Sequence, residues 1–119
     1  MSYVDGFVVP VPKKKRAAYA AMARKACKVW MDHGALEYKE CLADDVSWGK
    51  RTSFPRSVKL KSSEAVWFSY IVYRNRKHRD AVMKKVMKDK RLASMMDPKK
   101  MPFDAKRMIF GGFKVVVSP

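Results

Sequence analysis

Residues 65–73, AVWFSYIVY, constrain the fold more than any other stretch of the chain. β-branched and aromatic residues occupy both phases of the strand period, so this segment is apolar on both faces. Such a strand must be covered above and below. Three weaker segments accompany it. Residues 3–9, YVDGFVV, read as a second buried strand. Pro10 and Pro12 are expected to close it, because proline donates nothing to a sheet ladder. Residues 36–42, LEYKECL, alternate. Leu36, Tyr38, Glu40 and Leu42 lie on one face, with Glu37, Lys39 and Cys41 on the other. Residues 107–117, RMIFGGFKVVV, make the last strand, with Gly111-Gly112 marking a bulge or a close backbone approach.

Helical patterns separate the strands. In residues 13–33, Tyr19, Met22, Ala26, Val29, Trp30 and His33 recur at spacings of three and four and form one apolar stripe. Pro12 suits a first turn and Gly34 a C-terminal cap. Asn75 caps a second helix running to about Arg91, with Val82, Met83, Val86 and Met87 as its inner stripe. Residues 43–64 form a long polar connection with one short helical turn, and ASMMDPKKMPFDAK is a second connector. The resulting order is β-α-β-β-α-β. It predicts one α+β domain over residues 1–119: a ferredoxin-like, four-stranded antiparallel sheet with both helices on one face. The opposite face, with some of Phe7, Val9, Phe68, Tyr70, Phe110 and Phe113, would be a large apolar patch in a monomer. A second copy, sheet against sheet, covers it, so a homodimer is expected.

YVDGFVV at 3–9, HGAL at 33–36, EC at 40–41, FSYIVY at 68–73 and MPFDAKRMIFGGF at 101–113 resemble the YbaA-like family of small bacterial proteins, domain of unknown function 1428. The resemblance spans nearly the whole chain, and its last motif is the most specific. It implies a ferredoxin-like subunit that pairs into a dimeric α/β barrel, and it brings no established activity. The family pattern has Gly where Ala105 stands. Were a positive φ required there, Ala would strain the turn by about 1 kcal/mol. Family members also look near neutral or acidic, and this chain does not.

Lysine and arginine number 27 against 11 aspartates and glutamates, a net charge of +16. Apolar residues make up 48% of the chain, which excludes a disordered polycation. Sixteen of the cations fall on the two helical segments: Lys13, Lys14, Lys15, Arg16, Arg24, Lys25 and Lys28 on the first, and Arg74, Arg76, Lys77, Arg79, Lys84, Lys85, Lys88, Lys90 and Arg91 on the second. Lys13–Arg16 follow a proline as a nuclear address or nucleic-acid patch does. They also read as a helix's first turn, where each cation opposes the dipole by roughly 0.3–1 kcal/mol. Helix stability therefore does not explain them. A basic helical layer is expected to attract nucleic acid or another polyanion non-specifically. The alternative origin is surface charge engineered for assembly with an anionic partner.

Asp5, Glu40, Asp104, Lys106 and Arg107 form the polar constellation. A carboxylate within an apolar strand must find a partner or shift its pKa. A structural ion pair is the plainer reading. A small-molecule binder or enzyme using the cleft near Asp5 and Arg107 is the alternative, and the chain's status as an enzyme is left open. His33, His78, Cys27 and Cys41 lack metal-ligand spacing, and His33 reads as a packed core residue. Met83, Met87, Met95 and Met96 read as packing. No Walker loop, dinucleotide fingerprint or nucleophile elbow occurs, so no cofactor is expected. RNA readers of this topology need a third-strand consensus that WFSYIVY lacks. Two cysteines, no signal-peptide pattern and no membrane-length apolar run suit a soluble, cytoplasmic protein.

Overall fold

The computed structural model describes all 119 residues. The elements are β1 (Tyr3–Pro12), a 3₁₀ turn (Lys13–Lys15), α1 (Arg16–Asp32), β2 (Glu37–Leu42), α2 (Phe54–Ser57), β3 (Glu64–Tyr73), α3 (Arg76–Met87), α4 (Lys90–Met95) and β4 (Ile109–Lys114). The strands form one antiparallel sheet in the order β2-β3-β1-β4. The fold is α+β, as the pattern of elements predicts.

One sheet face carries Tyr3, Ile71 and Tyr73 against Val29 of α1, Val82 and Val86 of α3 and Leu92 of α4. Further along, Val9, Val11 and Trp67 pack with Tyr19 and Ala23 of α1. On the opposite face, Val58 of the β2–β3 connection closes over Val8 and Val66, so that connection covers part of the face expected to lie open. The six residues assigned to that face divide. Phe7 and Val9 pack on the helix side, and Phe110 stacks beside Phe7 at 6.1 Å between ring centroids. Phe68, Tyr70 and Phe113 lie on the other side, in the strand phase of Val4 and Val8.

Several local expectations are corrected. Pro10 and Pro12 do not close β1, which pairs with β3 through Pro12. β4 reaches only to Val8, so beyond it β1 is an edge, where a missing donor is tolerated. The second helix does not run unbroken to Arg91. It ends at Met87, and Asp89 starts α4 by accepting from the Arg91 backbone N–H. Met87 turns to solvent at 60% exposure and so leaves the inner stripe. The Gly pair makes no bulge, since β1 and β4 pair without interruption. It serves close approach: a Cβ on Gly112 would collide with the Tyr3 ring. Ala105 is unstrained, because Lys59 is the sole non-glycine residue with positive φ. Gly34, at φ 107°, follows α1 as expected.

Candidate functional site

A cleft of about 270 Å³ lies between the helix-side face of the sheet, α1, and the segment from α4 to Met108. Its position follows from the strand phases. Phe7 and Val9 of β1, Tyr38 and Glu40 of β2, and Ser69 and Ile71 of β3 all point to this side. Tyr19, Met22, Ala26 and Trp30 enter from the apolar stripe of α1. Leu92, Met95, Met96, Met101, Phe103 and Met108 close the third side. Straight-chain methionines fill an irregular roof without fixing its shape.

Glu40 is the one charged residue lining this cleft. Tyr19 Oη donates to its Oε1 at 2.8 Å and Tyr38 Oη to its Oε2 at 2.9 Å. Ser69, buried, lies directly across the β2–β3 ladder. The Tyr19 ring is held by Trp67 at 4.8 Å and edge-on by Phe103 at 5.6 Å. Burial pushes the Glu40 carboxyl above its ordinary value, and the two phenol hydrogen bonds offset only part of that. Burial first, and Glu40 second, pushes both phenols up. At neutral pH the tyrosines are thus proton donors. Glu40 is a carboxylate whose proton affinity is tuned upward, in a place where a ligand can reach it.

The expected constellation is not assembled. Asp5 is buried and accepts from Arg79 Nη1 at 2.7 Å, with the Arg79 guanidinium 5.0 Å from the Tyr3 ring centre. Its carboxyl is raised by burial, with Arg79 opposing. Arg107 lies ahead of β4 and does not meet Asp5. It grips Glu64, at 2.8 Å from Nη1 to Oε1, and Asp104 at 3.0 Å. It also donates to the carbonyls of Val58 and Lys59. Arg107, steadied by Asp104, therefore anchors the β2–β3 connection, Lys106 gives only its backbone N–H to Asp104, and Glu40 alone of the five lies in the cleft. Tyr19, Tyr38 and Ser69 were not singled out from the sequence. The strand phase shared by Tyr38 and Glu40, and the place of Tyr19 on the α1 stripe, carried the signal.

Fifteen of the sixteen helical cations are exposed; Arg79 is drawn in by Asp5. Arg91 is exposed but spent on Asp32 and Asp89, each at 2.8 Å. His33 bonds Asp89 at 2.7 Å and ties the end of α1 to the start of α4. Lys13–Lys15 form the 3₁₀ turn that leads into α1, and the Lys13 N–H donates to the Ser63 carbonyl. No three His, Cys, Asp or Glu side chains gather within metal-binding reach. No helix is long and apolar enough to cross a membrane.

A family described as "Protein of unknown function (DUF1428)" matches residues 2–105. The uncharacterized protein YbaA of Escherichia coli K12 is 47% identical over 117 residues, 98% of each chain. YbaA of Shigella flexneri matches to the same extent, 47% over 98% of each chain. Among solved structures, the de novo designed protein Foldit4 superposes with a TM-score of 0.43 at 10% identity, over 95% of this chain and 94% of its own. That likeness is too slight to carry an argument.

Proposed function

The chain belongs to the DUF1428 family of proteins of unknown function, and from that premise we propose that it binds a small molecule in the cleft beneath its helices, as the subunit of a homodimeric α/β barrel. The cleft around Glu40 carries the reading. An apolar space with a single tuned carboxylate is the form a small-ligand site takes: apolar walls supply affinity and the polar group fixes orientation. A purely structural Glu40 would more economically be a leucine, since burying a carboxylate costs stability unless something is gained. Calorimetry with indole tests it. Indole should bind the wild-type chain, and Ala26→Phe, which fills the cleft from α1, should abolish the heat. Unchanged affinity in the variant would place binding elsewhere and overturn the reading.

The barrel rests on two observations. One antiparallel sheet in the order β2-β3-β1-β4 with the long helices on one face favours a ferredoxin-like subunit. Beyond the part covered by Val58, the outer face presents Phe68, Ile109 and Phe113 at 40%, 44% and 64% exposure. A twofold partner laid on that face removes the patch.

A second reading concerns the cations. The exposed lysines and arginines of α1 and α3 favour non-specific binding of nucleic acid or another polyanion to the helical layer. It uses the outside of the helices and leaves the cleft free, so the two readings do not compete.

A further inference from the structure

Glu40 is distinguished by what it lacks. The chain has 27 lysines and arginines for 11 carboxylates. Asp5, Asp32, Glu37, Glu64, Asp80, Asp89 and Asp104 all stand in ion pairs. Asp44 and Asp45 are exposed to water, and Asp97 accepts the Lys99 backbone N–H. Glu40 is half-buried and stands in no ion pair: its two oxygens accept from two phenols, one side faces the apolar cleft, and the other faces a more open hollow of α1 with Arg16, Arg24 and Cys27, none of which bonds it.

Each phenol carries one proton, and both protons are already given to Glu40. Toward the cleft, this end therefore presents acceptor lone pairs of the carboxylate and of two phenol oxygens. Ser69 is the one further hydroxyl besides the tyrosines. A ligand head that only accepts, such as a carboxylate or phosphate, meets lone pairs and a like charge. A neutral hydroxyl can donate, but leaves the charge of Glu40 uncompensated. An ammonium brings three donors, no acceptor and the missing charge.

We propose that the ligand is a protonated amine on a compact apolar body, its ammonium seated on Glu40 and its body among Trp30, Met95, Phe103 and Met108. This rests on the cleft being the binding site. The size agrees: about 270 Å³ is roughly twice the ~150 Å³ cavity that admits benzene. The body is thus one aromatic ring or a short branched chain with a brief linker. The rings of Trp30 and Tyr38, 6.2 Å apart, offer faces that attract a cation as well as apolar contact. The raised proton affinity of Glu40 agrees with the geometry, because a desolvated carboxylate gains most from a cation that balances its charge.

Two dependences follow. Amine binding tightens as pH rises through the Glu40 titration, since only ionised Glu40 offers the charge; the amine itself stays protonated up to about pH 10. The positive surface repels an approaching cation, so amine association quickens with added salt, opposite to polyanion binding.

The experiment compares 2-phenylethylamine, 2-phenylethanol, 3-phenylpropionate and indole on the intact chain by calorimetry, with Glu40→Gln and Tyr38→Phe beside the wild type and folding checked by circular dichroism. The amine should bind best and the acid not at all. Glu40→Gln should weaken the amine roughly ten- to hundredfold, the size of a lost charge-assisted hydrogen bond, and cost uncharged indole far less. Tyr38→Phe removes one donor from Glu40 and should leave the amine the best-bound of the three heads; loss of that preference counts against the amine. Indole binding with no preference among the three heads, or an amine affinity untouched by Glu40→Gln, overturns the amine while the cleft stands. Failure of indole and all three heads to bind overturns the cleft and, with it, the amine.

Discussion

Tyr38 and Glu40 stand two residues apart on the inner phase of β2, and the Tyr38 hydroxyl donates to Glu40 Oε2 at 2.9 Å. This contact, with its Tyr19 counterpart, keeps a carboxylate in an apolar cleft without a cation. Burial nevertheless outweighs the two phenols and holds the carboxyl above its ordinary 4.5. The folded chain thus keeps a proton that the unfolded chain releases. The stability linked to that proton is full below the unfolded value and is lost as pH rises through the folded one. Glu40→Gln cannot titrate. Its unfolding free energy in urea should decline less than wild type across that window. Asp5 is also raised by burial, but it is common to both proteins and cancels in the difference. Parallel curves would mean that Glu40 is not desolvated.

Asp5 and Arg79 form a largely buried charge pair on the helix side, with side chains 10% and 20% exposed. Removing Arg79 alone strands a carboxylate. Arg79→Met should cost about 3–5 kcal/mol in urea unfolding, and adding Asp5→Asn should recover much of it. A simple sum of the two single losses would show that the pair is not coupled.

The outer face makes a prediction about assembly. Light scattering after gel filtration in moderate salt should give twice the chain mass of 13.7 kDa. Phe68→Lys with Phe113→Lys should give a folded monomer, because both residues lie on the exposed apolar side. A wild-type monomer at micromolar concentration would contradict the barrel.

The helical cations predict steep, sequence-blind binding to duplex DNA, with a log–log salt slope on the order of −4 or steeper. Changing Lys13, Lys14, Lys15 and Arg16 to Glu should flatten the slope without unfolding, since anions suit a helix start. A salt-independent affinity would point to a pocket rather than a charged surface.

The strands were legible because their apolar residues fill strand phases that only a covered sheet can use, and β3 is the extreme case. Asn75 as a cap was legible from its local chemistry; its side chain accepts the His78 N–H. The break after Met87 was not. Nothing in MKDK forbids a helix, and what ends it is distant: Asp89 is held by His33, 56 positions away in the chain. The ion pairs were hidden for the same reason. Arg79 reaches Asp5 across 74 positions and Arg107 reaches Glu64 across 43. Such pairings depend on where loops land, which strand and helix periodicity does not encode. Glu40 fared better, because the alternation of β2 already placed it beside Tyr38 and Leu42.

The nine methionines test the cleft most directly. Met22, Met95, Met96, Met101 and Met108 line it, whereas Met1, Met31, Met83 and Met87 do not. In methyl-labelled protein titrated with indole and followed by NMR, the first five resonances should shift together along one saturable curve while the other four stay in place. Shifts confined to Met31, Met83 and Met87, or no saturable shift in the five, would contradict a ligand site beneath the helices.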